Sequence, residues 1–555
     1  MVTGTRVRAF GDTALLAEVA EDLSAAEALR VVIALRERLA DSQPAGLVDL
    51  VPAARTVLVR FAPREVAASV VRAWIEKNLT DALAAATPEA VLHRGSPADT
   101  DVEIGIRYDG PDLDETAALL GISPAELVSA HLAATWIVAF TGFAPGFGYL
   151  VSEDWPFDVP RLESPRTRVP AGSVGLAGSF SGAYPRSTPG GWRLIGATSA
   201  QLFDPDAASP ALLRPGMRVR FREVADLPAA GPSLVRGSSV HPLRLDAPRV
   251  HEIAAHAVMA EETDAVSRPL LRVEAPGLLA TIQDAGRRGA GSMGVSVSGA
   301  LDRTALRTAN RLVGNPEDAA GLEITAGGFE AIALADVWIA VTGAWGELTL
   351  DGHDIDHGAA HLWRRGTRLR MGWFTAGVRA YLALRGGIAA PRVLGSAATD
   401  TLAGLGPEPL RVDTALPGGE LDVHDVPVSD LAPWSPPSPD VVIRLMPGPR
   451  EDAFTPASRS ALFEAAWTVG AAADRVGMRL EGPPLERSDA GELASEGMVP
   501  GAIQVPPSGS PTILLADGPV TGGYPVIATV VDADLDLLAQ AGPGATIHFR
   551  HAPQR

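Results

Sequence analysis

The chain has 555 residues, 46% hydrophobic and 20% charged, with a formal net charge of −19 and no cysteine. That length predicts about three to five domains rather than one core. The acidic balance, with no Lys/Arg-dense stripe, speaks against nucleic acid or an anionic membrane as partner, and the missing thiol excludes disulfides, cysteine-ligated zinc, iron–sulfur clusters and a cysteine nucleophile.

Residues 1–95 read as a small N-terminal α/β sandwich. Ser24 and Glu27 make a capping box that opens a helix toward Leu39, with Leu29, Val32, Leu35 and Leu39 at helical spacing. Thr56 to Phe61 reads as a strand and 64–78 as a second, amphipathic helix. That helix carries Lys77, the one lysine of the sequence, with no glycine-rich loop before it. A P-loop and a biotin carrier each need a placed lysine. Any nucleotide phosphate here must therefore be held by arginine, metal or backbone N–H groups, and any biotin must arrive on another protein. Residues 1–20 lack a long apolar stretch, and no run of 18 uninterrupted apolar residues occurs, so a cytoplasmic location is expected.

Residues 96–225 begin with an alternating strand at 102–108. Ser123, Pro124 and Glu126 supply an N-cap, an N1 proline and the box glutamate of a helix running toward His131. Glycine and proline then punctuate short apolar runs, the pattern of β-structure with tight turns. Residues 226–248 are rich in Pro, Gly and Ser, and 226–268 read as a linker with a helix expected at 251–266. Residues 269–425 are strand-rich around one helix, capped by Asp302 and closed by Gly314. After a second Pro/Ser-rich seam, 440–555 form a final β-rich domain with helical stretches near 459–467 and 534–540. The fold class is thus α+β and β-rich.

One internal echo stands out. Val169-Pro170-Ala171-Gly172-Ser173, Gly190-Gly191-Trp192, Pro215-Gly216 and Val219-Arg220-Phe221 recur in order as Val505-Pro506-Pro507-Ser508-Gly509, Gly522-Gly523-Tyr524, Pro543-Gly544 and Ile547-His548-Phe549. A duplicated β-rich unit accounts for this; recurring turn chemistry is the alternative.

The first half carries Phe140-Thr141-Gly142-Phe143-Ala144-Pro145-Gly146-Phe147-Gly148-Tyr149-Leu150, then Pro165-Arg166 and Arg168-Val169-Pro170-Ala171-Gly172-Ser173. The second carries Thr281-Ile282-Gln283-Asp284-Ala285-Gly286-Arg287, Ser298-Gly299-Ala300-Leu301-Asp302, Leu322-Glu323-Ile324-Thr325, Asp474-Arg475-Val476-Gly477 and Gly522-Gly523-Tyr524-Pro525. In these blocks the chain resembles allophanate hydrolase subunit 1 followed by subunit 2, over roughly 5–225 and 270–550. These families include the B and C subunits of 5-oxoprolinase and are related to the carboxyltransferase part of urea carboxylase. The resemblance implies cyclophilin-like β-barrels. It also implies a fused B–C component of an ATP-dependent 5-oxoprolinase with a small amide substrate, a separate A-type subunit, ATP and Mg²⁺, and a homodimer of fused chains. Two alternatives remain: the carboxyltransferase component of a biotin-dependent urea or amide carboxylase, whose biotinyl lysine this chain lacks, and a histidine-kinase inhibitor module. Pro519-Val520 stand where the family usually has Gln-Thr, which leaves the exact substrate open.

Lactam or carboxyl chemistry needs oxyanion donors, an acid or base, and positioning. Asp517, at a strand end before a Gly-rich turn, is the leading candidate for acid/base work or amide recognition. Gln283 and Asp284 are further catalytic candidates; with Arg287 they cluster three hydrogen-bonding types, or else form a structural network. Arg166 and Arg168 flank a Pro-rich turn and suit an anion, though plain salt bridges would place them equally. Gly190-Gly191 and Gly522-Gly523 can present N–H groups as a nest, or serve as tight turns. The expected pocket lies in the C-terminal barrel, lined by Gln504, Asp517 and Tyr524, with Gln283 or Arg287 reaching in. No metal site is expected. His353 to His357 follows the hairpin signal Asp351-Gly352, and Asp532, Asp534 and Asp536 lack the glycine and glutamate of a calcium loop.

Overall fold

A computed structural model of the chain describes residues 5–20, 22–85, 101–227, 268–427, 432, 435–488 and 493–553. The expected boundary at 95/96, the possible helix at 251–266 and most of the expected linker lie outside the described residues.

Strands β1 (Arg6–Ala9), β2 (Ala14–Glu18), β3 (Leu47–Pro52) and β4 (Thr56–Phe61) make an antiparallel sheet ordered β1-β2-β4-β3. Helices α1 (Ala25–Asp41) and α2 (Ala68–Ala85) pack on it. The Ser24–Glu27 capping box forms as read. The second helix starts later than 64, because residues 62–66 are committed to a turn in which Glu65 and Val66 N–H both reach the Ala62 carbonyl. Strand alternation divides the sheet's duties. Leu15 and Ala17 face the helices, while Ala14 and Leu16 join a core with Met498, Val499, Ala502, Leu514 and Val526 at the far end of the chain.

A seven-stranded sheet follows, built from β5 (Asp101–Ile106), β6 (Trp136–Thr141), β7 (Gly148–Val151), β9 (Ser173–Ala177), β10 (Phe180–Ala183), β12 (Arg193–Ala197) and β13 (Arg218–Glu223) in the order β12-β9-β10-β7-β6-β13-β5. The Arg107–Ala197 pair brings its two edges together. A ribbon of β8 (Arg166–Val169) and β11 (Thr188–Gly190) stands beside it. Helices α3 (Leu113–Leu119) and α4 (Pro124–Ala133) precede β6.

The third unit is a nine-stranded antiparallel assembly: β14 (Pro269–Pro276), β15 (Leu279–Gln283), β16 (Gly321–Thr325), β17 (Gly327–Ala333), β18 (Val337–Leu350), β19 (His353–Asp354), β20 (Ala360–Trp363), β21 (Arg368–Leu384) and β22 (Ala415–Pro417). Helix α5 (Arg303–Leu312) packs on β18 and β21. The β18–β19 turn is a primed hairpin, with Asp351 at φ 53° and Gly352 at φ 77°.

The last unit is a closed barrel of β23 (Asp440–Pro447), β24 (Ala466–Val469), β25 (Gly477–Glu481), β27 (Ala502–Gln504), β28 (Thr512–Leu514), β30 (Val526–Val530) and β31 (Thr546–His551). Its order is β23-β30-β27-β28-β25-β24-β31, with a ribbon of β26 (Glu496–Gly497) and β29 (Thr521–Gly522) alongside. Helix α6 (Pro456–Glu464) precedes β24.

The two seven-stranded units share one topology. Each has a single parallel pair, β5–β13 and β23–β31, and each enters its next strand from a Pro-started helix. In both, a buried tryptophan indole N–H caps that helix: Trp136 donates to the His131 carbonyl at 3.1 Å, Trp467 to that of Leu462 at 3.0 Å. The duplication is therefore structural, but one block of the echo takes a different register. Gly172 N–H meets the Tyr184 carbonyl and Gly501 N–H that of Leu514, so 169–173 correspond to 498–502, not to 505–509. Val-Pro turns recur too freely to fix register alone. Among the described residues no single helix is long and apolar enough to cross a membrane.

Candidate functional site

Asp517 sits between the C-terminal barrel and the nine-stranded unit and is completely buried. Its Oδ1 accepts from Ser298 Oγ at 2.7 Å and Arg475 Nη2 at 2.9 Å. Its Oδ2 accepts from Thr401 N at 2.9 Å, Thr401 Oγ1 at 2.8 Å and Arg475 Nε at 3.0 Å. Arg475 gives two further donors to Glu323 Oε1 at 2.6 Å and the Gly299 carbonyl at 2.6 Å. Burial works to raise the Asp517 pKa, but the charge and hydrogen bonds of Arg475 outweigh it and hold the carboxyl below its ordinary range. A buried carboxylate with both oxygens engaged does not face a cavity as a base. Geometrically it is a clamp on Thr401.

The rest of the predicted cluster holds the same loop. Asp284 accepts from Gly286 N, Ser396 Oγ and Ala397 N at 2.9, 2.6 and 2.7 Å. Gln283 Nε2 donates to the Thr399 carbonyl at 2.9 Å. Arg287 donates to the carbonyls of Val393 and Ala398. Asp400 accepts from Leu402 N at 3.0 Å, Ala403 N at 2.7 Å and Ser296 Oγ at 2.6 Å. Burial, then the neighbouring Asp517 charge, raises the Asp400 pKa. Gln283 Oε1 and Arg287 Nη1 are buried without hydrogen-bond partners. The loop so anchored, 393–406, reaches the first barrel, where a Cβ on Gly404 would lie 3.4 Å from Arg186 Nη1.

The Gly-Gly-Tyr-Pro block lies apart from that cluster, against the first-half aromatic motif. Phe143 N–H donates to Thr521 Oγ1 at 3.2 Å. Phe143 holds φ at 65°, a costly angle for a bulky residue. Gly142 passes so close that a Cβ would stand 1.9 Å from Thr521 Oγ1. Gly146 N–H reaches the Met293 carbonyl at 2.9 Å. Gln504 Nε2 lies 3.3 Å from Met498 Sδ, and a Cβ on Gly522 would meet it at 2.5 Å. Tyr524 is 49% exposed. The expected single pocket is thus divided: Asp517, Gln283 and Arg287 brace a loop, while Gln504, Gly522 and Tyr524 stand at the barrel junction.

In the first barrel, Arg166 pairs with Asp112 at 2.6 Å, and Asp112 also accepts from Leu194 N at 2.7 Å. Exposed Arg168 meets Ser187 Oγ at 3.0 Å. A Cβ on Gly190 would come within 2.5 Å of the Tyr184 hydroxyl, and one on Gly191 within 3.6 Å of Pro165. Neither Gly190-Gly191 nor Gly522-Gly523 contains a left-handed residue, so the alternating backbone of an anion nest is absent from both; close packing accounts for Gly190 and Gly522. Tyr184, Phe143, Phe147, Tyr149 and Trp192 form an aromatic core behind the junction.

A small recess opens where three units meet, lined by Arg60 of β4, Ser296, Val297, residues 498–500 and the residues on both sides of Asp517. Its volume is ≈ 270 Å³, the open mouth included. Sequence reasoning assigned no role to Arg60, Ser296, Asp400, Arg475, Glu323 or Thr521. Each gains its meaning from a partner distant in the chain.

Two family models match the chain: carboxyltransferase domain, subdomain C and D, over residues 5–213, and carboxyltransferase domain, subdomain A and B, over 293–551. The 5-oxoprolinase C subunit of Escherichia coli K12 is 38% identical over 285 residues, 50% of this chain and 90% of that protein. The 5-oxoprolinase B subunit of Escherichia coli O157:H7 is 38% identical over 220 residues, 38% of this chain and 93% of that protein. The urea amidolyase of Saccharomyces cerevisiae is 35% identical over 305 residues, 50% of this chain but 16% of that protein. The crystal structure of TTHA0988 superposes with a TM-score of 0.80 at 36% identity, covering 98% of this chain and 100% of that one.

Proposed function

The chain belongs to the carboxyltransferase-domain family that contains the 5-oxoprolinase B and C subunits, and from that premise we propose that it is the fused B–C component of an ATP-dependent 5-oxoprolinase. In this reading it opens the lactam of 5-oxoproline to glutamate together with a separate A-type subunit.

The observation that carries the proposal is that one chain matches nearly the full length of both 5-oxoprolinase components, B in its first half and C in its second. The packing of the halves supports it. The N-terminal sheet shares a core with the C-terminal barrel, and Arg450 joins Glu18 to Glu496 across the same face. Fusion keeps such a pair together at high effective concentration. In this reading Gln504, Gly522, Gly523 and Tyr524 face substrate along the barrel junction. Asp517, Gln283, Asp284 and Arg287 hold the 393–406 loop in place, and Arg166, Gly190 and Gly191 shape the first barrel's ribbon.

ATP and Mg²⁺ belong to the proposal through the family. Among the described residues no group of three or more His, Asp or Glu fits a metal ion, and the buried carboxylates Asp284, Asp400 and Asp517 already accept hydrogen bonds on both oxygens. These residues do not fit the metal, so the proposal leaves nucleotide and metal to the A-type subunit. It also includes pairing of fused chains into a homodimer, which light scattering tests directly.

The decisive experiment mixes the chain with a cognate A-type subunit, 5-oxoproline, ATP and Mg²⁺ and measures glutamate. ATP-dependent release is expected; its absence with both proteins folded would refute the proposal. A second reading, the carboxyltransferase component of a biotin-dependent urea or amide carboxylase, is favoured by the urea amidolyase match. It requires biotin on another protein, since Lys77 lies on α2 of the N-terminal sandwich. Carboxyl transfer from a biotinylated carrier, without glutamate release, would select it.

A further inference from the structure

The recess between the three units has two polar side chains, Arg60 and Ser296, in an otherwise apolar lining. Arg60 Nε is buried without a hydrogen-bond partner. The charges bearing on its guanidinium are Asp49 and Asp532, opposed by Arg288 and Arg303. Asp49 is itself engaged, accepting from Leu50 N at 2.9 Å and Gly291 N at 3.0 Å. A cation with a spare donor in a low-dielectric recess favours an anion there.

Ser296 Oγ donates its proton to Asp400 Oδ2 at 2.6 Å. In that state the hydroxyl has no proton for an anion in the recess. Protonating Asp400 reverses the bond: the carboxylic O–H donates to Ser296 Oγ, and the serine proton turns toward the recess. Burial and the Asp517 charge already favour the protonated form of Asp400, with Arg287 and the Ser296 and Ala403 donors opposing it. Arg475, on Asp517, and Asp284, near Arg287, are the next charges out.

We propose that this recess binds a small oxyanion between the Arg60 guanidinium and the Ser296 hydroxyl, and that binding draws a proton onto Asp400. Asp400 is then a positioning residue, acting through Ser296. The choice of ligand rests on the 5-oxoprolinase reading: the oxyanion is the carboxylate of 5-oxoproline or the phosphate released from ATP. Arg60 comes from the first half of the chain, Ser296 and Asp400 from the second, so the site exists only when the halves are docked.

Titration calorimetry on the full chain tests this with 5-oxoproline, inorganic phosphate and 2-pyrrolidinone, which lacks the carboxylate. Runs at about pH 7 in buffers of different ionisation enthalpy count the protons taken up. Binding of 5-oxoproline or phosphate with proton uptake is expected, and whichever binds identifies the source of the oxyanion. Arg60→Gln should weaken binding about tenfold or more. Asp400→Asn should retain binding and lose the proton taken up by the protein; for phosphate, which itself titrates near the working pH, that proton is the difference in uptake between the two chains. Val520→Trp, which fills the recess from the barrel side, should block binding without touching either charge. The proposal is overturned if 2-pyrrolidinone binds as well as 5-oxoproline, or if neither anion binds. It also fails if binding takes up no proton, or if Arg60→Gln and Val520→Trp, both folded by circular dichroism, keep wild-type affinity. No A-type subunit or nucleotide is present, so failure here is separable from failure of glutamate release.

Discussion

Replacing Asp517 with asparagine separates a clamp from a catalyst. The carboxylate accepts five hydrogen bonds, three from Arg475 and the Thr401 backbone and two from hydroxyls. Asparagine keeps one oxygen. In one orientation its NH₂ faces Thr401 N and Arg475 Nε, in the other Ser298 Oγ and Arg475 Nη2, and each places donor against donor. The substitution also removes one of the two carboxylates that neutralise buried Arg475. Breaking a buried pair from one side costs about 3–5 kcal/mol. For a urea slope of about 1–3 kcal/mol per molar, the unfolding midpoint of the unit that contains the network should fall by more than about 1 M. Amide exchange should rise first at Thr401, whose N–H loses its acceptor, and along 399–406. Turnover with the A-type subunit should fall only as far as that loop loosens, and Asp517→Glu should not restore it, since the longer side chain cannot keep the same five contacts. An unchanged midpoint and unchanged exchange, together with a loss of turnover of about 100-fold or more, would refute the clamp and restore Asp517 as a group acting on substrate.

Two further perturbations probe the architecture. Gly142→Ala should cost about 1–3 kcal/mol by overpacking, because its Cβ falls 1.9 Å from Thr521 Oγ1; Thr521→Ala in the same chain should recover only part of the stability, since Thr521 Cβ stays at 2.9 Å, and differential scanning calorimetry reads both. His131 is fully buried between Tyr108 OH at 2.7 Å and Ser181 Oγ at 2.9 Å, and burial lowers its pKa to about 3. Below the ordinary imidazole value the unfolded chain takes up a proton that the folded chain refuses, so stability is present above about pH 6.5 and is lost as pH falls toward 3. At about 1.4 kcal/mol per unit this amounts to roughly 3 kcal/mol by pH 4. His131→Gln should flatten that slope in urea titrations, and an unchanged slope would refute the assignment.

What the sequence disclosed was mostly local. Both capping boxes, Ser24 with Glu27 and Ser123 with Glu126, are four-residue signals and form as read. So does the Asp351-Gly352 hairpin. Helix α3 escaped notice because it has seven residues, and its N-cap Asp112 bonds Arg166 and Leu194 instead of its own first turn. The site was half legible for the same reason. Asp517 and the Gln283-Asp284 pair were visible as polar residues at strand ends. The partners that decide their role stand far off in sequence: Arg475 is 42 residues from Asp517, Glu323 is 152 residues from Arg475, and Thr401 is 116 residues from Asp517. No periodicity reports such pairings, and a buried arginine looks like any other until its carboxylates are found.

The duplicated barrels also differ in how each packs beside its ribbon. Trp192 and Tyr524 follow equivalent Gly-Gly turns after equivalent ribbon strands. Trp192 is 6% exposed and packs edge-on against Phe147 and Tyr149, whereas Tyr524 is 49% exposed. At the strand end that precedes the ribbon's return, buried Tyr184 occupies the place of Leu514, and burial pushes its hydroxyl up to about 12. The first barrel has therefore filled the space beside its ribbon with aromatic rings. The second leaves an amide, a hydroxyl and a glycine pair beside its own, and borrows the Phe143 loop as the opposite wall. The duplicated fold thus differs between its copies: aromatic packing seals the first barrel's ribbon, while the second keeps the exposed ring of Tyr524 beside its own.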